Sequence, residues 1–335
     1  MRCIKAVSYT HLGLGLIGFF FLCIYGSTTS FTAGGVLDPA VIAGHENFLR
    51  IVYLGMMIGF GCKAGMYPLH AWLPTAHPVA PTPASAVLSG IITKCGVLAI
   101  IRTTYYLFGV DFVKGTWVQN VILVLAIGTI FMGSMLAYRE KMLKKRLAYS
   151  SISQVSYVLF GVFLMTPQAL CGALLQVVAH AIAKNALFLS AGAVIYKTGH
   201  TYVNELKGIG KQMPVVMICF TIASLSLIGI PPTGGFISKW FLATGALESV
   251  AYGIIPVIGI VVLIISALLT AGYLLTIVSE AFFPGKDFDY SKLEKKEPNY
   301  LMLVPLMVLA AGVLVVGIFP SGLIDVFSGI TQDIF

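Results

Sequence analysis

The sequence predicts an all-α integral membrane protein, a bundle of about nine transmembrane helices with two of them discontinuous, as part of an inverted-repeat transporter fold. Three observations carry this expectation. Of 335 residues, 58% are hydrophobic and 10% are charged, against about a quarter charged in soluble domains. The apolar residues gather in runs long enough to cross a bilayer, which takes about 20 residues per helix. Two of those runs are interrupted by proline and glycine, at Pro68 and at Pro231 and Pro232. Lipid accepts the surplus of Leu, Ile, Val and Phe on the outside of a fold, where water would not.

In chain order the nine runs are 12–32, 48–72, 82–108, 117–137, 149–166, 168–196, 213–246, 252–283 and 300–319. Residues 1–11 form a short polar stretch. Residues 12–319 read as one transmembrane domain, with an incomplete first repeat over 12–108, a second repeat over 117–283 and an extra helix at 300–319. Residues 320–335 read as a tail. The first eleven residues resemble the start of a signal peptide, but no convincing small-residue cleavage site follows, so a retained helix is expected. The breaks at Lys63-Ala-Gly-Met-Tyr-Pro68 and Gly229-Ile-Pro-Pro-Thr-Gly-Gly235 lie five helices apart. An odd offset makes them cross in opposite directions, the arrangement of an inverted repeat.

The formal net charge is +8. In a soluble protein that would suggest nucleic acid. Here the basic residues fall at 139–146, 197–211 and 284–299, which parity places on one side, so the positive-inside rule accounts for them and puts that side in the cytoplasm. No nucleic-acid partner is expected. The cysteines Cys3, Cys23, Cys62, Cys95, Cys171 and Cys219 are scattered without a CxxC pair, so neither a metal nor a disulfide framework is expected. Walker, GxSxG, HExxH and dinucleotide-binding motifs are absent, and no cofactor is expected.

The chemistry rests on ionisable residues inside apolar spans: Lys63, Lys94, His180, Lys184 and Lys239. Each costs about 2.5–3.5 kcal/mol at a helix centre. Burial disfavours the charged ammonium, so a buried lysine can exchange a proton near neutral pH. His180 and Lys184 share a helix face. His70 lies seven residues after Lys63, with Pro68 between them. Ser151 and Gln154 are candidate supports, and Ser85, Ser89, Thr93, Ser150, Ser153 and Gln176 could hold bridging water. The blander readings are a helix-satisfied His180, capping or packing roles for His70 and His77 beside a loop, and snorkelling for Arg102 and Glu280.

The run Lys63-Ala-Gly-Met-Tyr-Pro-Leu-His-Ala-Trp-Leu-Pro-Thr-Ala-His-Pro-Val-Ala-Pro-Thr-Pro-Ala-Ser85, followed by Lys94-Cys-Gly, resembles the signature of the proton-conducting antiporter-like subunits. These are the large membrane-arm subunits of respiratory complex I, the large subunits of Mrp antiporters and the membrane subunits of energy-converting hydrogenases. Lys145-Arg-Leu-Ala-Tyr-Ser-Ser-Ile-Ser-Gln154, His180-Ala-Ile-Ala-Lys184-Asn-Ala-Leu-Phe and Gly229-Ile-Pro-Pro-Thr-Gly-Gly-Phe-Ile-Ser-Lys239 match in order and spacing. The resemblance covers nearly the whole chain after residue 12. It implies that Lys63 is the lysine of the first broken helix and Lys94 that of the next helix. His180 and Lys184 would be the central relay, and Lys239 the terminal lysine, which other members replace with glutamate. Thr75 stands where members usually carry aspartate. Members also have about five further helices upstream, one carrying a glutamate thought to pair with the first lysine, so the resemblance implies an N-terminally truncated chain.

The expected function is proton translocation by a membrane subunit of a redox-driven complex, with no redox site of its own, in the cytoplasmic membrane. The implied partners are other membrane subunits, lipid and protons. A monovalent cation/proton antiporter subunit, moving Na+, is the alternative. A quinone-binding redox subunit is disfavoured by the lack of a redox motif. A passive scaffold is disfavoured by the cost of four separate buried lysines.

Overall fold

With no water available in lipid, backbone polar groups must be satisfied within the chain, which makes the α-helix the local solution for long apolar runs. The computed structural model describes residues 39–335 except 286, 287 and 289–293, together with Gly15, Gly18, Leu22, Phe31 and Leu37. Residues 1–11 and most of the expected helix at 12–32 lie outside the described residues. The principal helices are α1 (Glu46–Ala64), α2 (Trp72–Val79), α3 (Thr82–Phe108), α4 (Trp117–Arg139), α5 (Leu143–Leu164), α6 (Pro167–Thr198), α7 (Pro214–Ile228), α8 (Gly234–Glu248), α9 (Ile255–Phe282), α10 (Tyr300–Ile318) and α11 (Ser321–Ile334). Among them α3, α4, α5, α6, α9 and α10 are long and apolar enough to cross a membrane. The chain is an all-α, multi-pass integral membrane protein.

The two interrupted runs are not single spans over 48–72 and 213–246. Each is a pair of half-helices, α1 with α2 and α7 with α8. The first half ends the same way in both pairs. Gly65 (φ 91) and Gly229 (φ 93) adopt the left-handed conformation that L side chains avoid. The next residue then donates back across the last turn, Met66 N to Gly61 O and Ile230 N to Leu225 O, as in a Schellman cap. A cis proline follows in each break, at Tyr67–Pro68 and Pro231–Pro232. His77, expected beside a loop, lies inside α2, and residues 320–335, expected as a tail, are largely the helix α11.

The basic segments meet at one end of the bundle. The expected loop at 139–146 is shorter than its charge suggested, because α5 starts at Leu143 and takes Lys144, Lys145 and Arg146 into its first turn. Backbone bonds Leu143 N to Thr201 O and Val203 N to Lys141 O, both 2.9 Å, tie the first segment to the second. Lys296 N to Gln212 O, 3.0 Å, ties the third to the second. Glu297 accepts from Val215 N at 2.7 Å, at the N-terminus of α7 where the helix dipole favours an anion. Burial nonetheless pushes its carboxyl above the usual carboxylate range, against these backbone hydrogen bonds. Lys144 Nζ donates to Ala80 O just beyond α2, so α1 and α2 run toward this basic face while α7 and α8 run away from it.

Nearly every residue of α5 is buried, including the polar Ser150, Ser151, Ser153 and Gln154. It is the axis on which the other elements pack. Outward positions such as Ile258, Val261, Leu268, Leu301, Val308 and Val315 are exposed apolar side chains on α9 and α10, suited to contact with lipid tails.

Candidate proton path

Helix α6 presents Gln176, His180 and Lys184 at four-residue intervals, hence on one face. His180 and Lys184 are 1% and 0% exposed. Lys184 Nζ donates to Leu147 O at 2.9 Å and to the Ser150 hydroxyl. The same carbonyl receives the Ser151 hydroxyl at 2.9 Å, and Ser151 in turn pairs with the Ser89 hydroxyl on α3. Ser89 lies in a π-helical turn, Leu88–Ile92, and its carbonyl accepts from Lys94 Nζ at 2.6 Å. Lys94 Nζ and His180 Nδ1 then share a hydrogen bond of 2.7 Å. A series of contacts through α5 and α3 thus lies between Lys184 and His180, passing by way of the Leu147 carbonyl and through Ser89, whose hydroxyl and carbonyl make separate bonds.

A second stretch leads to Lys239. Gln176 donates to Gln154 Oε1 at 2.8 Å, and Gln154 donates to Leu227 O at 3.2 Å. Lys239 Nζ donates to that same carbonyl and to Ile228 O at 2.7 Å. These are the last carbonyls of α7, which the break leaves without intrahelical partners. A cation beside them also meets the negative end of the half-helix dipole. The Tyr157 ring lies 5.3 Å from Lys239 Nζ, and its hydroxyl donates to Ser266 at 2.8 Å within a cluster that includes Ser134 and Ser153.

Lys63 stands apart from both stretches. It is half-buried near the C-terminus of α1, with its Nζ 5.9 Å from the centre of the Trp72 ring. The break beside it is satisfied by Trp72 Nε1 donating to Cys62 O at 2.8 Å and by Tyr67 N donating to Thr129 Oγ1 at 3.1 Å. His70 is half-buried against Tyr67, its Nδ1 without a partner, and it joins neither stretch. Ser151 and Gln154 each take part in these hydrogen bonds. Thr75 turns its hydroxyl back to Ala71 O and Trp72 O, and Arg102 is exposed at the start of a π-helical turn.

Two participants escaped the sequence reading. Ser238, adjacent to Lys239, donates to Gln176 Oε1, and Tyr157 follows Gln154 by three residues on the same helix face. Both signals were local spacing to a residue already singled out. Neither of the two ion pairs among the described residues, Lys145 with Glu140 and His200 with Glu205, includes a residue of the path. Carbonyls, hydroxyls, carboxamides and aromatic faces surround these lysines instead. No three His, Cys, Asp or Glu side chains gather as metal ligands among the described residues.

A polytopic helical bundle with two broken helices and basic side chains set among its spans defines the chain as a multi-pass membrane protein of the discontinuous-helix class. Within that class, the chain is a member of the family described as NADH:quinone oxidoreductase/Mrp antiporter, TM, which it matches over residues 2–277. The chain is 34% identical to NADH-quinone oxidoreductase subunit N of Desulforudis audaxviator, over 96% of this chain and 66% of the relative. It is 28% identical to NAD(P)H-quinone oxidoreductase chain 4 1 of Thermosynechococcus vestitus, over 93% and 58%. It thus spans under two thirds of these relatives' lengths. Its fold matches a chain of the Mrp complex from Dietzia sp. with a TM-score of 0.84 at 22% identity, covering 99% of this chain and 67% of that one.

Proposed function

We propose that this chain moves protons through the membrane along Lys184, Lys94, His180 and Lys239, as one membrane subunit of a multisubunit, redox-driven pump in the cytoplasmic membrane. The observation that carries the reading is the direct 2.7 Å contact between Lys94 Nζ and His180 Nδ1, flanked by one set of contacts that leads to Lys184 and a separate set that leads from Gln176 to Lys239. An amine and an imidazole in hydrogen-bond contact can exchange a proton without moving their backbones. Hydroxyls and carboxamides on either side hold the orientation and the water that such exchange needs. Lys63, beside the first break, stands apart from these contacts and is proposed as a further station on the strength of its place in that half-helix. The redox assignment follows the quinone oxidoreductase relatives, whose electron-transfer partners would be other subunits.

The test is Lys239→Ala in the parent complex, reconstituted in liposomes, with proton uptake and driving turnover measured together. Uptake should be lost relative to turnover, and Lys63→Ala should weaken it as well. Unchanged pumping in both variants would sink the assignment. The Mrp half of the family description motivates a second reading, monovalent cation/proton exchange. Proton movement that requires Na+ and no redox substrate would favour it.

A further inference from the structure

His77 takes no part in the path described above, yet its position is costly. It is 0% exposed, and neither ring nitrogen has a hydrogen-bond partner. A neutral imidazole carries one donor and one acceptor nitrogen, and an unsatisfied polar atom in a dry interior is unfavourable. The ring stacks on Phe188, with centroids 4.6 Å apart and planes 15° from parallel. A phenylalanine would make that stack without orphaned nitrogens. Packing alone therefore does not account for a histidine here.

The surroundings of His77 suggest what the nitrogens do. Phe188 also receives Lys184, whose Nζ is 5.9 Å from the ring centre, so His77 and the Lys184 station share one aromatic neighbour. Lys184 and Lys144 are the charges that face the imidazole. Lys144, in the first turn of α5 at the basic face, is 9% exposed and donates to Ala80 O at 3.0 Å, three residues beyond His77. With Pro78, the residue next to His77, it lines a cavity of about 180 Å³ completed by Met142, Ile195 and Thr201. A water molecule's share of liquid volume is about 30 Å³, so such a cavity has room for several.

We infer that His77 is a proton-relay residue connecting water at the basic face, collected beside Lys144, with Lys184 in the membrane interior. The inference rests on the proton path proposed above and adds its connection to one aqueous side. In the relay step, a hydronium in the Lys144 cavity, which reaches Pro78 beside His77, passes its extra proton to one ring nitrogen and is left as water. The other nitrogen releases its proton to a neutral Lys184 amine, which returns the ring to neutral charge in the opposite tautomer, and a tautomer reset readies it for the next proton. The reverse order carries a proton outward.

The experiment uses His77→Phe and Lys239→Ala, each in the full parent complex reconstituted in liposomes, with assembly checked by native electrophoresis. His77→Phe keeps the stack on Phe188, so the complex should assemble. Proton uptake per turnover should fall to the level of Lys239→Ala. Wild-type uptake in His77→Phe alongside loss in Lys239→Ala would overturn the relay and leave the path intact. Wild-type uptake in both would overturn the path and the relay with it. Should His77→Phe fail to assemble, His77→Gln keeps a donor and an acceptor but cannot shuttle a proton through a ring, and is read against the same outcomes.

Discussion

Gln176 and Gln154 show how the path depends on neutral side chains as much as on charged ones. Gln176 donates to Gln154 and accepts from Ser238, so its loss leaves the buried Gln154 carboxamide oxygen without that donor, while Ser238 keeps Gly235 O as an acceptor. Gln176→Leu should destabilise the protein by about 1–3 kcal/mol and stop transport. Replacing both glutamines by leucine removes the orphaned group, so the double variant should regain much of the stability and none of the transport. Thermal unfolding and proton uptake measured on the three variants check this, and a double variant that still pumps would remove the carboxamides from the path. At this scale the sequence was informative wherever an ionisable residue interrupted an apolar run. It was silent on Tyr157 and Ser238, because hydroxyls are cheap enough in membrane helices to occur without a functional reason. It undervalued His77, since the proline-rich context read as a loop and concealed a buried half-helix.

Among the elements, α1 and α3 approach so closely that a side-chain carbon at Gly96 would sit 2.7 Å from Ala64 N and 2.8 Å from Phe60 O. Both are backbone atoms and neither can swing away. The glycine after Lys94-Cys95 thus permits the helix carrying Lys94 to lie against the end of the helix carrying Lys63. Gly96→Ala should push the two helices apart and cost about 1–3 kcal/mol. A melting temperature of the purified complex equal to that of wild type would count against the close contact. The sequence revealed both broken helices through proline and glycine. It did not reveal where each half begins again, because that depends on which freed carbonyls find donors: Trp72 for Cys62 O in one break, Lys239 for Leu227 O and Ile228 O in the other. The π-helical turn at Leu88–Ile92 was equally hidden, since no residue type specifies it.

For the whole molecule, the three basic segments converge at one end and are bound together through backbone bonds. The positive-inside rule assigns that end to the cytoplasm. Cysteines placed at the exposed positions Lys141 and Lys207 should both react with a membrane-impermeant maleimide only from the cytoplasmic side. Opposite labelling of the two would contradict the shared face. That the segments share one face was legible from parity and charge alone. The shortness of the 139–146 connection was not, because Lys144 and Arg146 look like loop residues until their partners, Ala80 O and Tyr273 O, are seen.

The seat of Lys239 constrains which other residue could serve there. Its ammonium rests against two carbonyl oxygens at the end of α7, a site that welcomes a donor and repels an anion. A glutamate would fit the same seat only while holding its proton. Lysine and glutamate would then be loaded alike but wear opposite bookkeeping of charge: the loaded lysine is a cation and the emptied one neutral, whereas the loaded acid is neutral and the emptied one an anion that must leave the seat. A Lys239→Glu exchange in this chain is thus a change in which half of the transport cycle is anchored to the break, and a simple reversal of sign does not describe it.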